Sequence, residues 1–99
     1  MVRHLVAWNF IDTLSEEEKN ESKKIIKEKL ENVGKAVDGV IDLHVIFREL
    51  DSSNRDILLV GDYESVEALN AYQIHPAHLE AKDYIVSRTK DRACFDYEL

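Results

Sequence analysis

The sequence predicts one α+β domain whose strands and helices follow one another in the order βαββαβ. Three observations predict this order. The N-terminal segment alternates as a strand does, an amphipathic segment with a helix-start signature follows, and two further alternating segments are separated by a short polar turn. Because the chain has 99 residues, it has room for one hydrophobic core, and we expect a single domain over residues 1–99.

The N-terminal half predicts a strand and a long helix. Residues 1–11 alternate with both faces largely apolar, so we expect this strand to be covered on both sides. Ser15 followed by Glu18 is a capping-box signature, and Gly34 is expected to end the helix at its C′ position. A helix over residues 15–33 follows from these signals. Its predicted buried stripe contains Ser22, Ile25, Ile26, Leu30 and Val33.

The middle of the chain predicts an antiparallel hairpin. Residues 40–50 and 56–63 have strand-like alternation, and the connection between them is short and polar. The second of these strands is apolar enough to be central in the sheet. The predicted apolar face of the first one is formed by Ile41, Leu43, Val45 and Phe47.

The C-terminal part predicts a broken helix and a last strand. A helix is expected from about residue 64 and again up to about residue 89, with an interruption at His75 and Pro76 because the residue before proline avoids the helical region. Residues 93–97 are expected to form a short strand. The complete order is that of the ferredoxin-like fold, a four-stranded antiparallel sheet with helices on one face.

The apolar character of the sheet predicts a homodimer. Helices cover one face of such a sheet. Because the first strand is apolar on both of its faces, the other face of the sheet is expected to be buried as well. The chain has no spare element for that role. A second copy packed sheet against sheet would cover it and give a two-fold symmetric dimeric α/β barrel.

Composition excludes several classes of partner. The net charge of −7 argues against nucleic acid, which requires clusters of Lys and Arg, and against an anionic membrane surface. No apolar run is long enough to cross a bilayer, and no signal-peptide segment is expected at the N-terminus. The one cysteine cannot form an internal disulfide. We therefore expect a cytoplasmic protein.

The segment from Tyr72 to His78 is the most informative for function. It contains two of the four histidines and the only proline. His75 is expected to cap the helix that Pro76 begins, whereas His78 lies in the first turn of that helix. Imidazole titrates near neutral pH, so acid–base chemistry or polar ligand binding is expected at this place.

Four segments spread over the chain resemble one known family. They are residues 2–6 (Val-Arg-His-Leu-Val), 63–67 (Tyr-Glu-Ser-Val-Glu), 72–78 (Tyr-Gln-Ile-His-Pro-Ala-His) and 95–97 (Phe-Asp-Tyr). In order and spacing they resemble the stress-responsive dimeric A/B barrel (Dabb) domain. The resemblance implies a ferredoxin-like protomer and an intimate homodimer. Family members include plant stress-induced proteins and a small polyketide cyclase, so the family indicates fold better than function.

The resemblance also implies site residues. In cyclase-type members the residue matching His78 is the catalytic base, and the residue matching Tyr72 assists it. A neutral imidazole can remove a proton alpha to a carbonyl, and a phenol can donate a hydrogen bond to the developing oxyanion. The same strand face as His4 lines a cavity in the family. The ligand-binding residues expected on this basis are His4, Val6, Trp8, Ile26, Leu59 and Arg92. A structural role in capping or core packing is the alternative for each polar residue among them.

Departures from the cyclase pattern favour a different ligand. The aromatic and large apolar positions of the cyclising members correspond to Ser22, Lys23 and Ile26, then to Ala81, Lys82 and Thr89. A long alkyl-resorcylic substrate is therefore disfavoured. A smaller, polar or anionic ligand near Arg92 fits better.

No metal site and no cofactor are predicted. His4, His75 and His78 could contribute to a metal site, but no carboxylate or cysteine is convincingly placed to complete it. Cys94 has no histidine or basic neighbour in the sequence, which predicts that it is a small buried residue. The expected function is that of a homodimeric protein that binds an unidentified small molecule. The alternatives are an enzyme that uses a His/Tyr acid–base pair on a β-keto or phenolic substrate, and a purely structural dimer.

Overall fold

A computed structural model describes residues 1–99 and has the predicted ferredoxin-like architecture. The elements are β1 (Val2–Phe10), α1 (Glu16–Ala36), β2 (Val40–Phe47), β3 (Ile57–Tyr63), α2 (Val66–Ile74), α3 (Pro76–Arg88) and β4 (Thr89–Glu98). The sheet has the strand order β2-β3-β1-β4, and each neighbouring pair is antiparallel. The predicted hairpin is formed by β2 and β3, and β4 is longer than the predicted strand over residues 93–97.

The hydrophobic core lies between the sheet and the helices. Every second residue of β1 faces it, because side chains alternate along a strand. The helix α1 adds Ile26, Leu30 and Val33, all of which are buried. The β1 members of the core are Val2, His4, Val6, Trp8 and Phe10.

The start of α1 confirms the capping box, but its end differs from the prediction. The backbone N–H of Glu18 donates to Ser15 Oγ at 3.1 Å, and the N–H of Ser15 donates to Glu18 Oε1 at 3.0 Å. The predicted stop at Gly34 is wrong, since the helix continues to Ala36 and Val37 caps it. A Cβ atom on Gly34 would lie 2.6 Å from Cβ of Leu43, so glycine is required there for close packing of α1 on β2.

The prediction for β2 is partly wrong. Leu43 and Val45 are buried as expected, but Ile41 is 55% exposed. The register with β3 shifts between Val40 and Asp42, so a bulge removes Ile41 from the regular alternation. The strand ends at Phe47 instead of residue 50.

The helix break lies where the sequence predicts it. His75 has a ψ of 137°, outside the helical region, and Pro76 takes the first position of α3. The Nδ1 atom of His75 accepts a hydrogen bond from the backbone N–H of Ala77 at 3.1 Å. The predicted capping role of His75 is therefore confirmed.

The second face of the sheet has an apolar area that no other part of the chain covers, and beside it lies the Arg3–Asp62 ion pair. Ile46, Phe95 and Tyr97 are exposed there by 39%, 66% and 38%, and Leu5 and Val60 are half-buried. These residues lie on one face because they follow the cross-strand pairs Leu5–Val60 and Leu5–Phe95. No helix combines the length and the hydropathy needed to span a bilayer.

Candidate functional site

A cavity of about 350 Å³ opens between the helix-covered face of the sheet and α3. Five of the six predicted ligand-binding residues line it, and Ile26 does not, because it is fully buried in the core. Trp8 forms part of the wall without filling the space. The complete lining is His4, Val6, Trp8, Leu30, Leu59, Gln73, His78, Lys82, Ile85, Val86 and Arg92.

Local structure explains how the polar lining residues reach this cavity. His78 lies in the first turn of α3, and Lys82 lies one turn further along the same helix face. Ala7 pairs with Ala93 and Asn9 with Lys90, so Arg92 belongs to a bulge of β4. Bulges re-aim side chains, and this one accompanies the placement of the guanidinium at the cavity wall.

Four rings connect the cavity to the core. The ring centroids of Tyr72 and His78 are 4.4 Å apart, those of Tyr63 and Tyr72 are 5.1 Å apart, and those of His4 and Tyr63 are 6.1 Å apart. The predicted pair Tyr72 and His78 is thus brought together. The tyrosine between Tyr72 and His4 had no predicted role, although its place at the end of the apolar β3 segment indicated burial.

Three polar atoms of this cluster are buried without a protein hydrogen-bond partner. They are the hydroxyls of Tyr63 and Tyr72 and the Nδ1 atom of His78. The two hydroxyls are close enough for each tyrosine to shift the pKa of the other. Tyr72 itself does not contribute to the cavity wall, whereas His78 does.

Burial sets the protonation states of these groups. It raises the pKa of Tyr72 to about 12 and also raises the pKa of Tyr63. Burial lowers the pKa of His78 to about 4, and the positive charges of Lys82 and Arg92 add to this effect. Near neutral pH the phenols are therefore hydrogen-bond donors and the imidazole is uncharged.

His4 has a carboxylate partner that the sequence did not reveal. Its Nδ1 atom is hydrogen-bonded to Oδ1 of Asp96, which stands directly opposite on β4. Since a carboxylate only accepts, Nδ1 carries the proton in this contact. Cys94 also lies here, with Sγ 3.8 Å from the same Nδ1. The prediction that Cys94 is buried is wrong, because it lies on the edge strand and is exposed.

A second depression lies at the β2–β3 turn and is a poorer candidate. It measures about 550 Å³ but is more open to solvent, and neither a histidine nor a cysteine lines it. Its charged groups include Arg48, Arg55 and Asp56. The smaller cavity is the candidate site because it alone combines enclosure with buried, titratable side chains.

The sequence as a whole matches the family profile described as Stress responsive A/B Barrel Domain, over residues 2–99. This chain belongs to the Dabb family. No curated protein matches the sequence. The family resemblance inferred from the four sequence segments is therefore confirmed.

Solved structures with the same fold are similar to this Dabb chain over nearly its whole length. A dimeric protein of unknown function from Bacteroides fragilis has a TM-score of 0.91 at 24% identity, covering 99% of this chain and 95% of its own. A dimeric ferredoxin-like protein from Thermobifida fusca has a TM-score of 0.80 at 21% identity, covering 99% and 90%. A Dabb family protein from Mesorhizobium loti has a TM-score of 0.77 at 17% identity, covering 99% and 95%. At these identities the likeness establishes the fold alone.

We expect His78 to make the free energy of unfolding fall as the pH drops from 6.5 towards 4. The folded imidazole has a pKa of about 4 against an ordinary value of 6.5, so the unfolded chain binds more protons in this window. The stabilisation is complete above 6.5 and lost as the pH falls. We expect the unfolding free energy of the His78→Gln variant, measured by urea denaturation, to depend less steeply on pH across this window. The difference in slope should correspond to the uptake of roughly one proton at most on unfolding.

The variant and the parent chain share all carboxylates, so the difference between their slopes isolates His78. Stabilising carboxylates such as Asp62, whose pKa the Arg3 guanidinium lowers, lose their effect mainly below this window. Parallel curves for the two chains would contradict the assigned protonation state.

Proposed function

We propose that this protein binds a small organic anion in the cavity beside His78. The observation that carries the proposal is the pairing of two cations with an uncharged imidazole in one enclosed space. Lys82 and Arg92 both line the cavity, and neither forms an ion pair with a carboxylate. In a chain of net charge −7, two unpaired cations at one cavity favour an anionic ligand.

The remaining walls support a compact ligand with an apolar body. Val6, Trp8 and Leu59 offer apolar and aromatic surface, while the polar groups lie on α3 and β4. A volume of about 350 Å³ is at the lower end of the range for small-molecule sites. An aromatic or short branched carboxylate matches this combination.

Binding of the anion would also change the state of His78. A negative charge beside the imidazole offsets the repulsion from Lys82 and Arg92, which raises the pKa of His78 from about 4. The ligand complex therefore takes up protons relative to the free protein, and affinity increases as the pH falls through the window between the two pKa values.

Benzoate tests this proposal, with neutral benzamide as the matched probe. The chain has a single tryptophan, and it lies on the cavity wall, so its fluorescence reports occupancy. We expect benzoate to change the emission of Trp8 and to raise the melting temperature, more strongly at pH 5.5 than at pH 7.5. Lys82→Gln and Arg92→Gln should each weaken binding by roughly tenfold, because each removes a charged hydrogen-bond donor.

Lys24→Gln on the exposed face of α1 is the charge-matched control and should bind benzoate as the parent does. Equal binding of benzoate and benzamide, or no loss in either cavity variant, would refute the anion site.

A second candidate function is general-base catalysis on a β-keto or phenolic substrate. The contact between the rings of Tyr72 and His78 favours it, since an imidazole base and a phenolic donor stand side by side. Two observations place it second. The hydroxyl of Tyr72 is not on the cavity wall, and a pKa of about 4 makes His78 a weak base until an anionic substrate raises it.

Exchange of the α-protons of a β-keto acid in D₂O tests the catalytic candidate. We expect the parent chain to accelerate exchange if His78 is the base, and His78→Ala to abolish the acceleration while circular dichroism shows an intact fold. Tyr72→Phe should slow exchange by roughly 10²-fold if its hydroxyl stabilises the enolate. Binding of benzoate without any acceleration of exchange would leave the binding function alone.

We further propose that the protein is a homodimer packed through the second face of the sheet. The support is the uncovered apolar surface around Leu5, Val60 and Phe95, together with the description of two similar structures as dimeric. The cavity lies on the opposite face of the same sheet, so each protomer keeps its own site.

Sedimentation equilibrium at micromolar concentration should give twice the chain mass of 11.5 kDa. Phe95→Asp should yield monomers, because it places an unpaired charge in an apolar interface. Ile74→Asp is the control, since Ile74 is 75% exposed on α2 away from this face. A folded monomer of the parent chain would rule out the dimer.

A further inference from the structure

Three potential metal ligands meet where β1 and β4 pair. They are Nδ1 of His4, Sγ of Cys94 and Oδ1 of Asp96, which all lie within 4.8 Å of one another. The sulfur is 3.8 Å from the imidazole nitrogen and 3.6 Å from the carboxylate oxygen, and the nitrogen and oxygen are hydrogen-bonded. The strand register explains the meeting, because His4 pairs with Asp96 and Val6 with Cys94, which puts the three side chains on one face.

The arrangement does not suit a nucleophilic cysteine. In a cysteine–histidine–aspartate relay, the thiol and the carboxylate address opposite nitrogens of the ring. Here Cys94 and Asp96 both approach the Nδ1 atom of His4. Partial desolvation of the sulfur, followed by the charge of Asp96, raises the pKa of the Cys94 thiol, which disfavours a free thiolate.

Convergence of three donors on one point is instead what a metal ion requires. We propose that His4, Cys94 and Asp96 bind one Zn²⁺ ion or a similar divalent transition metal per chain. Imidazole, thiolate and carboxylate together are zinc ligands, whereas Mg²⁺ and Ca²⁺ take oxygen ligands almost exclusively. A tetrahedral zinc site has ligand atoms roughly 3.3 to 3.8 Å apart, as follows from its bond lengths.

The observed spacing needs only a small change to hold the ion. Both distances to the sulfur are already in the tetrahedral range, and the nitrogen–oxygen contact must open as the ion replaces the proton between His4 and Asp96. His4 is 3% exposed and held in the central strand β1, so the adjustment falls to the exposed side chains of β4. The fourth position is left to water, as in zinc sites with three protein ligands.

The proton balance of binding follows from the ligands. The Cys94 thiol loses its proton to solvent, and the proton that Nδ1 of His4 donates to Asp96 moves to Nε2 when the ion takes its place. Asp96 contributes its charge without a proton change. One proton is therefore released for each ion bound. Nearby Arg92 favours the thiolate through its positive charge.

Titration of the purified full chain with Co²⁺ as a spectroscopic substitute for Zn²⁺ tests the site. We expect a thiolate-to-cobalt charge-transfer band in the near ultraviolet that saturates at one ion per chain and is displaced by Zn²⁺ but not by Mg²⁺. Calorimetry of Zn²⁺ binding in two buffers of different ionisation enthalpy should report release of about one proton.

The variants avoid the buried histidine, whose loss could prevent folding. Cys94→Ala should abolish the charge-transfer band. Asp96→Asn should weaken Zn²⁺ binding by at least roughly tenfold, because even the loss of a residue that only contacts a metal ligand has an effect of this size. The control is Asp42→Asn in the exposed pair His44–Asp42, whose Nδ1–Oδ2 distance is 2.8 Å and which has no thiol beside it. That variant should bind both ions as the parent does.

Two results would overturn the site. One is a titration without a charge-transfer band, and the other is Zn²⁺ binding that survives Cys94→Ala and Asp96→Asn but is lost in Asp42→Asn. Neither result bears on the anion proposal, which depends on Lys82 and Arg92 instead.

Discussion

Pro76 has no backbone N–H, and its ring keeps the preceding residue out of the helical region, so the chain between β3 and β4 must form two helices and not one. On a continuous helix, residues 72 and 78 would point about 120° apart around the axis. The break allows Tyr72 at the end of α2 and His78 at the start of α3 to stack with centroids 4.4 Å apart. Both the buried ring cluster and the polar wall of the cavity depend on this change of direction.

The ring cluster lowers stability relative to an apolar core of the same shape. Each buried polar group without a partner costs about 1–3 kcal/mol, and the cluster contains the hydroxyls of Tyr63 and Tyr72 and the Nδ1 of His78. The hydrophobic core of 18 buried residues, which includes the two tyrosines, offsets that cost. Polar groups held at such a cost beside an enclosed cavity are the usual sign of a site that binds or reacts with something else.

Local sequence signals predicted most of the fold because they act within a few residues. The capping box at Ser15, the cap at His75 and the hairpin of β2 and β3 all depend on neighbours in the chain. The prediction at Gly34 was wrong because a glycine near a helix end can serve either as a left-handed cap or as a site of close packing. Only the packed structure shows that contact with Leu43, and not a left-handed cap, is the reason for it.

Strand alternation and the family motif predicted only part of the candidate site. They predicted His4, Trp8 and His78, which line the cavity. The contact of His4 with Asp96 and Cys94 joins residues about ninety positions apart, and it follows from the register of β1 on β4, which alternation does not determine. The exposure of Cys94 also follows from the position of β4 at the sheet edge, which no local pattern records.

The register of β4 therefore decides more than any other pairing in the molecule. Along this strand Cys94 and Asp96 face the helix side, and Phe95 and Tyr97 face the apolar second side. A slip of one residue would exchange the two sets. The strand is held at both ends. The Leu99 N–H donates to Met1 O at 2.9 Å, and the ammonium of Lys90 contacts the carboxylate of Asp12 at 2.8 Å.

A bulge at the start of β4 adds a third constraint on the register. Asp91 takes a left-handed conformation with φ of 56°, which aspartate tolerates better than most residues, and Asn9 Nδ2 donates to its carboxylate at 3.2 Å. The extra residue places Arg92 beside Trp8 at the cavity and leaves the rest of the strand in step with β1. The cavity residue Arg92, the proposed metal ligands Cys94 and Asp96, and the apolar Phe95 and Tyr97 therefore all depend on the register of this one strand.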